Sequence, residues 1–133
     1  MIFIDSNIPM YLVGAAHPHK TEAHIILERL IAAGRRLVTD AEVLQEILHR
    51  YTAIQKREAI RPALQVTLAI VDQVIPIGKP EVLRAAEIVQ NPAMLSARDA
   101  IHLAVMEHHR IRSILSFDSD FDRWTGIERI HRV

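Results

Sequence analysis

The sequence predicts an α/β protein, a three-layer α/β/α sandwich around a mainly parallel central sheet. Short apolar runs with strand character alternate with longer segments whose apolar residues recur at helical spacing. No tight hairpin signal joins the strand-like runs, so a helix connects each to the next, and such connections produce parallel strands. Neither repeats nor linkers divide the 133 residues, and we predict one domain over 1–133.

The strand candidates are short apolar runs that end in polar or turn-forming residues. Residues 1–5 are apolar up to Asp5, and the run that precedes Gly78 and Pro80 is closed by both. The last strand candidate follows a short helical turn predicted at 119–124. The predicted strands cover 1–5, 36–39, 74–77, 113–117 and 127–133.

Helical segments fill the intervals between these runs. Pro9 suits a first helical turn after Ser6, and 14–20 is predicted as a loop. The segment 52–58 either continues the preceding helix or turns away from it. The last long helix is apolar almost all round and is therefore predicted to be buried. The remaining predicted helices cover 21–33, 41–51, 62–72, 81–90 and 97–109.

Composition narrows the class of protein. There is no cysteine, which excludes disulfides and thiolate metal sites. No apolar run approaches the roughly 18 residues of a membrane span, and Asp5 interrupts the N-terminal run where a signal peptide would be apolar. We therefore expect a cytoplasmic protein that does not enter a membrane.

Charge alone does not decide whether the protein binds nucleic acid. The 16 basic residues balance the 16 acidic ones, whereas nucleic-acid binders are usually basic. Five of the acidic residues are candidates for one metal-binding pocket. The other 11 acidic residues, set against 16 basic ones, would leave the remaining surface at +5.

Four carboxylates stand where a parallel sheet would bring them together. Asp5 ends the first strand candidate and Asp118 follows the fourth, so both lie at the edge of the sheet where ligands bind. Glu46 and Asp99 lie in helices. Clustered carboxylates repel one another and persist mainly where a divalent cation neutralises them. The alternative is that each acid only caps a helix or shapes a turn.

Helix capping is an alternative role for Asp99, and it separates Glu42 from Glu46 in the earlier helix. The spacing of Ser96 and Asp99 fits a capping box, which leaves Asp99 with a possible double role. Thr39 and Glu42 fit another, which gives Glu42 a structural role on the solvent side. Glu46 lies one turn later, at the margin of the apolar stripe, and is the preferred pocket residue.

Several polar residues surround these four. Asp120 is a reserve candidate in the same turn as Asp118, and Ser116 and Asn7 are the best neutral hydrogen-bonding groups nearby. Asp122 is expected to face solvent. Among the histidines, which lack a recognised zinc-ligand spacing, His102 alone is expected near the pocket, as a packed core residue.

Taken together, these motifs resemble the PIN-domain family, and within it the VapC-type toxins. The opening run that ends in Asp5, Ser6 and Asn7 is similar to the family's first motif, and Glu46 matches its helix glutamate. The segment 98–104 resembles the third motif. The segment 116–121 resembles the fourth, with Ser116 where Thr is common and Phe117 where a basic or polar residue is common.

The resemblance implies an Mg²⁺- or Mn²⁺-dependent endoribonuclease that a cognate antitoxin inhibits and that is often a homodimer. Asp5 and Asp99 would contact the metal directly. Glu46 and Asp118 would bind a second ion or orient water. Arg50, Arg98 and Arg123 are candidates for contact with the RNA backbone.

Three other classes of protein share some of these features. Phosphatases that use an aspartyl intermediate require a second Asp two residues after Asp5, where this chain has Asn7. A receiver domain requires an acidic pair near the first strand and a late lysine, and residues 112–133 contain no lysine. A catalytically silent RNA-binding or protein-interaction module with the same fold remains open.

Overall fold

In the computed structural model, which describes residues 1–92 and 95–132, five short strands form one sheet. Every neighbouring pair is parallel, in the order β3-β2-β1-β4-β5. The predicted parallel sheet is therefore confirmed. The strands are β1 (Ile2–Ile4), β2 (Leu37–Asp40), β3 (Gln73–Ile75), β4 (Ser113–Leu115) and β5 (Glu128–Ile130).

Helices cover both faces of this sheet, which confirms the three-layer architecture. They are α1 (Asn7–Val13), α2 (Pro18–Ala32), α3 (Ala41–Ala53), α4 (Ile60–Ile70), α5 (Lys79–Ile88) and α6 (Ala97–His108), with short 3-10 helices at Arg57–Ala59 and Ser119–Arg123. One core lies between the sheet and α3, α5 and α6, and a second lies between the sheet and α1 and α2. As predicted, α6 is largely buried.

The alternation of side chains along β1 supplies both cores. Phe3 enters the first core, whereas Ile2 and Ile4 enter the second, and all three are fully buried. The run is continuously apolar because helices cover β1 on both sides. Strand order also reverses at β1, which places the carboxyl ends of β1 and β4 at the switch point of the sheet.

Several predicted boundaries need correction. The predicted loop 14–20 is partly helical, because α2 begins at Pro18 and the ring of His17 accepts the His19 N–H at 3.0 Å as its cap. Helix α3 runs on to Ala53 before Gln55 adopts a left-handed φ of 58° and ends the segment. The predicted strand 127–133 is paired only over β5, and Val133 lies outside the described residues.

The other helices and strands are shifted by a few residues from their predicted positions. Helices α4 and α5 each begin two residues before their predicted starts, and β3 begins one residue early. Over the part of the chain that the structure describes, no helix is both long and apolar enough to cross a membrane.

Candidate active site

The fold brings the four predicted carboxylates to one cavity of about 280 Å³ at the carboxyl edge of the sheet. Asp5 follows β1, Asp118 follows β4, Glu46 comes from α3 and Asp99 from α6. The reserve candidate Asp120 also lines this cavity. The complete lining is Asp5, Ser6, Asn7, Glu46, Ser96, Arg98, Asp99, Asp118 and Asp120.

Asp5 is held rigidly at the floor of the cavity. One carboxylate oxygen accepts the Ser6 N–H at 2.8 Å, and the other accepts the Ser116 hydroxyl at 2.5 Å and the Asn7 amide at 3.2 Å. Burial raises the pKa of the Asp5 carboxyl, although the nearby His102 and the Ser116 hydrogen bond act in the opposite direction. Ser116 and Asn7 therefore fix the orientation of Asp5.

His102 occupies the centre of the buried side of the site. Its Nδ1 lies 2.8 Å from Asp40 Oδ2, and its Nε2 lies 2.6 Å from Glu46 Oε1. The ring is fully buried and packs against Phe3, with the ring centroids 5.1 Å apart. The expectation of a packed core histidine was thus incomplete, because His102 also joins two acidic residues.

Contacts at both nitrogens indicate the charge state of His102. Burial alone would lower the pKa of the imidazole, but the charge and hydrogen bond of Asp40, followed by the contacts with Glu46 and Asp5, raise it well above its ordinary value. A protonated ring donates from both nitrogens, as these two contacts require. His102 therefore places one positive charge among Asp5, Asp40 and Glu46.

Glu46 is positioned by two donors. Besides His102, the Ser6 hydroxyl donates to Glu46 Oε2 at 2.7 Å, and only 12% of the side chain is exposed. Burial would raise the pKa of Glu46, but the hydrogen bond and charge of His102 and the bond from Ser6 hold it below its ordinary value. Glu46 is therefore an ionised carboxylate fixed at the edge of the cavity.

The cap of α3 differs from the predicted capping box. Asp40, not Thr39, caps the helix, since its Oδ1 accepts the Val43 N–H at 2.9 Å. Thr39 donates instead to the Ile4 carbonyl at 2.8 Å in the neighbouring strand. Glu42 is partly buried rather than fully turned to solvent, and burial raises the pKa of its carboxyl.

The remaining carboxylates form a more open group. Oxygen atoms of Asp99, Asp118 and Asp120 lie within 4.8 Å of one another. The Ser96 hydroxyl accepts the Asp99 N–H at 3.1 Å, which confirms Ser96 as the cap of α6. Burial, together with the charges of Asp5 and Asp118, raises the pKa of the Asp99 carboxyl to about 7.

The donor set of the site fits a hard divalent cation. Asp99, Asp118 and Asp120 offer only oxygen atoms, the ligands that Mg²⁺ and Mn²⁺ prefer. The ring of His102 also lies within 4.8 Å of Asp5 and Glu46 oxygens, but both of its nitrogens are already engaged. His102 is therefore a neighbour of the site and not a metal ligand.

The sequence analysis placed His102 near the pocket but did not predict its contact with Asp40. Asp40 lies inside the capping box predicted for Thr39 and Glu42, and its separation of 62 positions from His102 concealed their contact. A polar residue inside the apolar stretch of α6 was the available signal for His102. Asp122 behaves as predicted: it is exposed and pairs with Arg129 at 2.9 Å.

A parallel sheet with carboxylates at its switch point is the plan of a PIN domain. The PIN-domain family model matches residues 2–126, and the chain belongs to that family. Two VapC ribonucleases, one from Mycobacterium bovis and VapC13 from Mycobacterium tuberculosis, are each 55% identical to it over 130 residues, which cover 98% of this chain and 99% of the relative. The predicted resemblance to VapC-type PIN proteins is confirmed.

Solved structures agree with this assignment at the level of the fold. VapC20 from Mycobacterium tuberculosis, described as a sarcin-ricin loop cleaving toxin, superposes with a TM-score of 0.77 at 24% identity, over 96% of this chain and 98% of that one. VapBC2 from Rickettsia felis, solved with a DNA fragment of its promoter, gives a TM-score of 0.75 at 17% identity, with complete coverage of both chains.

Proposed function

We propose that this protein is a divalent-metal-dependent endoribonuclease that hydrolyses RNA phosphodiester bonds as the toxin of a toxin–antitoxin pair in the cytoplasm. The observation that carries the proposal is the meeting of Asp5, Glu46, Asp99 and Asp118 around one small cavity. Relatives at 55% identity over nearly the whole chain are named VapC ribonucleases, which supports RNA as the substrate. Residues 1–133 act as one nuclease unit.

The metal would be Mg²⁺ or Mn²⁺, held by Asp5, Asp99 and Asp118, with Asp120 as a further oxygen donor. When bound there, a divalent cation supplies an activated water and neutralises charge on a phosphate. Glu46 lies at the same cavity and would hold a second ion or orient water. This oxygen-only set contains no sulfur donor and needs no histidine ligand.

The side chains around the cavity fix the positions of its carboxylates and influence their charge. Ser6, Asn7 and Ser116 hold the Asp5 oxygens in place, so the carboxylate does not have to reorganise when substrate arrives. His102 keeps Glu46 ionised and aimed at the cavity. Asp99, with a pKa of about 7, is partly protonated at neutral pH and loses its proton when a cation binds.

The partners follow from the same class of protein. We expect a cognate antitoxin that blocks the cavity, and a homodimer as the functional form. A toxin–antitoxin complex from Klebsiella pneumoniae superposes on this chain with a TM-score of 0.66 at 20% identity, which supports a shared scaffold for such complexes. The exposed hydrophobic side chains of the helices offer surface for both contacts.

Cleavage of a pool of structured RNAs tests the proposal. The wild-type protein should cut with Mg²⁺ and stop in EDTA, and Asp5→Asn should cut at least about 100-fold more slowly. Asp122→Asn is the matched control, because Asp122 is exposed and outside the cavity. Equal cleavage by all proteins in EDTA would exclude this site as the source, and RNA binding without cleavage under any condition would support the silent module.

A further inference from the structure

We propose that a cluster of rings beside the cavity binds a base of the RNA next to the cleaved phosphate, and that two arginines hold the neighbouring phosphates. The cluster consists of Tyr11, His17, His19 and Phe117 and is called the aromatic rim below. This inference rests on the proposed ribonuclease function and assigns a substrate subsite to it.

The aromatic rim begins next to the carboxylates. Phe117 lies between Ser116, which donates to Asp5, and Asp118. Its N–H donates to Asn7 Oδ1 at 3.3 Å, and the amide of the same Asn7 donates to Asp5. Tyr11 lies one helical turn beyond Asn7 on α1, on the same face of the helix. A nucleotide whose phosphate reaches the cavity therefore has its base within range of the rim.

The rings of the rim support one another. His19 stacks on Phe117 with centroids 4.1 Å apart and an interplanar angle of 9°, and Tyr11 meets both rings edge-on at 5.1 and 5.6 Å. His17 lies 5.0 Å from Tyr11 and is fixed as the cap of α2. Tyr11, His19 and Phe117 are only partly buried and His17 is exposed. Rigid rings with open surface are what unpaired RNA bases stack on.

A second feature supplies positive charge at the same place. A cleft of about 400 Å³ adjoins the cavity, and Tyr11, Arg50 and Arg98 are among its lining residues. Arg98 lines both the cleft and the cavity. Both arginines are exposed, and among the described residues the arginine ion pairs lie elsewhere. Arg98 interacts with Glu42 and Glu46 only at longer range, so both arginines remain available for phosphate oxygens.

Volume and charge together favour RNA as the occupant of this cleft. Its size lies within the range of small-ligand pockets, and it joins a carboxylate cavity in which Arg98 is the one basic residue among the described lining residues. Because the whole chain has no net charge, local cations must hold the backbone. Tyr11 belongs to both the rim and the cleft, so base stacking and phosphate binding are continuous.

Binding measured in EDTA separates this subsite from turnover. The probe is a labelled single-stranded RNA, together with versions that carry an abasic site or 2-aminopurine at one position at a time. At one position, the wild-type protein should quench 2-aminopurine and lose about 10-fold or more in affinity for the abasic RNA. The Tyr11→Leu/Phe117→Leu variant should bind intact RNA as weakly as the wild type binds abasic RNA, with no further loss on the abasic probe.

Control variants keep the test specific. Trp124→Leu removes a half-buried ring outside the rim and should retain wild-type affinity. Arg50→Gln/Arg98→Gln should reduce the slope of log affinity against log salt by about 1.4, while exposed Arg112→Gln, outside the cleft, should leave the slope nearly unchanged. Thermal unfolding of each variant verifies that it is folded.

The possible failures are distinguishable. If the wild-type protein cleaves RNA but no abasic position weakens binding, the subsite is refuted and the nuclease stands. If the abasic effect and its loss in the rim variant appear without cleavage, the nuclease is refuted and the rim stands only as an RNA-binding site. If the rim variant binds RNA normally and instead loses an antitoxin, the rim is a protein contact and the inference is wrong.

Discussion

The acidic cavity has a buried half and an open half, and its carboxylates meet different charges in the two. In the buried half, Asp5 and Glu46 surround the imidazolium of His102, and the pKa of Glu46 is held below its ordinary value. In the open half, the pKa of Asp99 rises to about 7, because burial and neighbouring carboxylates act on it more strongly than the distant His102. The pKa of each carboxyl here depends on how far contacts with His102 offset the effect of burial.

This contrast indicates where the proposed metal ion would bind. The buried half carries its own positive charge, which keeps Glu46 ionised and positioned without an added ion, although burial still raises the pKa of Asp5. The open half contains Arg123, but that side chain pairs with Asp120 on the exposed side at 3.4 Å. Asp99 and Asp118 are therefore the two acids that a bound cation would relieve most.

The largest expected effect comes from breaking the buried half. His102→Leu leaves Asp40 and Glu46 without their shared donor, and the loss of one partner from a buried ion pair costs about 3–5 kcal/mol of unfolding free energy. Urea denaturation measures this loss. His109→Leu is the matched control at the exposed end of α6 and should change stability by less than about 0.5 kcal/mol. A loss below about 1 kcal/mol for His102→Leu would contradict the internal charge balance.

Disruption of the open half should reduce RNA cleavage and increase the stability of the protein. Asp99→Asn removes a proposed metal ligand and should slow RNA cleavage at least about 100-fold. It also removes a carboxylate that Asp5 and Asp118 repel, so the protein in EDTA should become more stable above pH 7. Cleavage rates and thermal unfolding in EDTA measure the two effects on the same sample. Destabilisation together with the loss of activity would indicate that Asp99 is mainly structural.

The pH dependence of stability isolates the same carboxylate. The pKa of Asp99 is raised from 3.8 to about 7 in the folded protein, so its contribution is complete below pH 3.8 and is lost as the pH rises through 7. Without metal, wild-type stability relative to Asp99→Asn should fall by roughly 2 kcal/mol between pH 4 and pH 8, after allowance for solvent screening. Mg²⁺ should reverse that fall and release a proton near pH 7, measurable by calorimetry in two buffers. A difference independent of pH would contradict the raised pKa.

The local signals in the sequence predicted most of the fold. The run that forms β1 is continuously apolar because it is buried on both faces, and that pattern predicted a strand. The alternation of strands and helices predicted the parallel sheet. The start of α2 was missed because a histidine ring caps it, whereas cap signals rest on Ser, Thr, Asp and Asn. Boundary errors of this kind did not move any candidate residue away from the sheet edge.

The candidate site, like the fold, was predicted only in part from the sequence. Asp5, Glu46, Asp99 and Asp118 were chosen from their places after strands and within helices, and the fold brings them together. The charge balance beneath them could not be predicted, because it depends on Asp40 meeting His102 across two elements distant in sequence. Asp40 does cap α3, but only its Oδ1 accepts the Val43 N–H, and its Oδ2 contacts His102. The sequence identified the four acids, and tertiary contacts set the pKa values of Asp5, Glu46 and Asp99.

The smallest expected effect tests which glutamate of α3 belongs to the site. Glu42→Gln removes a partly buried carboxylate near Glu46 and Asp40, and it should change cleavage less than about 3-fold and stability by less than about 0.5 kcal/mol. Glu46→Gln, the matched change one turn later, weakens the contact with His102 and should slow cleavage at least about 10-fold. Both rates are measured under identical Mg²⁺ conditions. If the two values were exchanged, Glu42 and not Glu46 would be the functional carboxylate of this helix, and the buried half would serve stability alone.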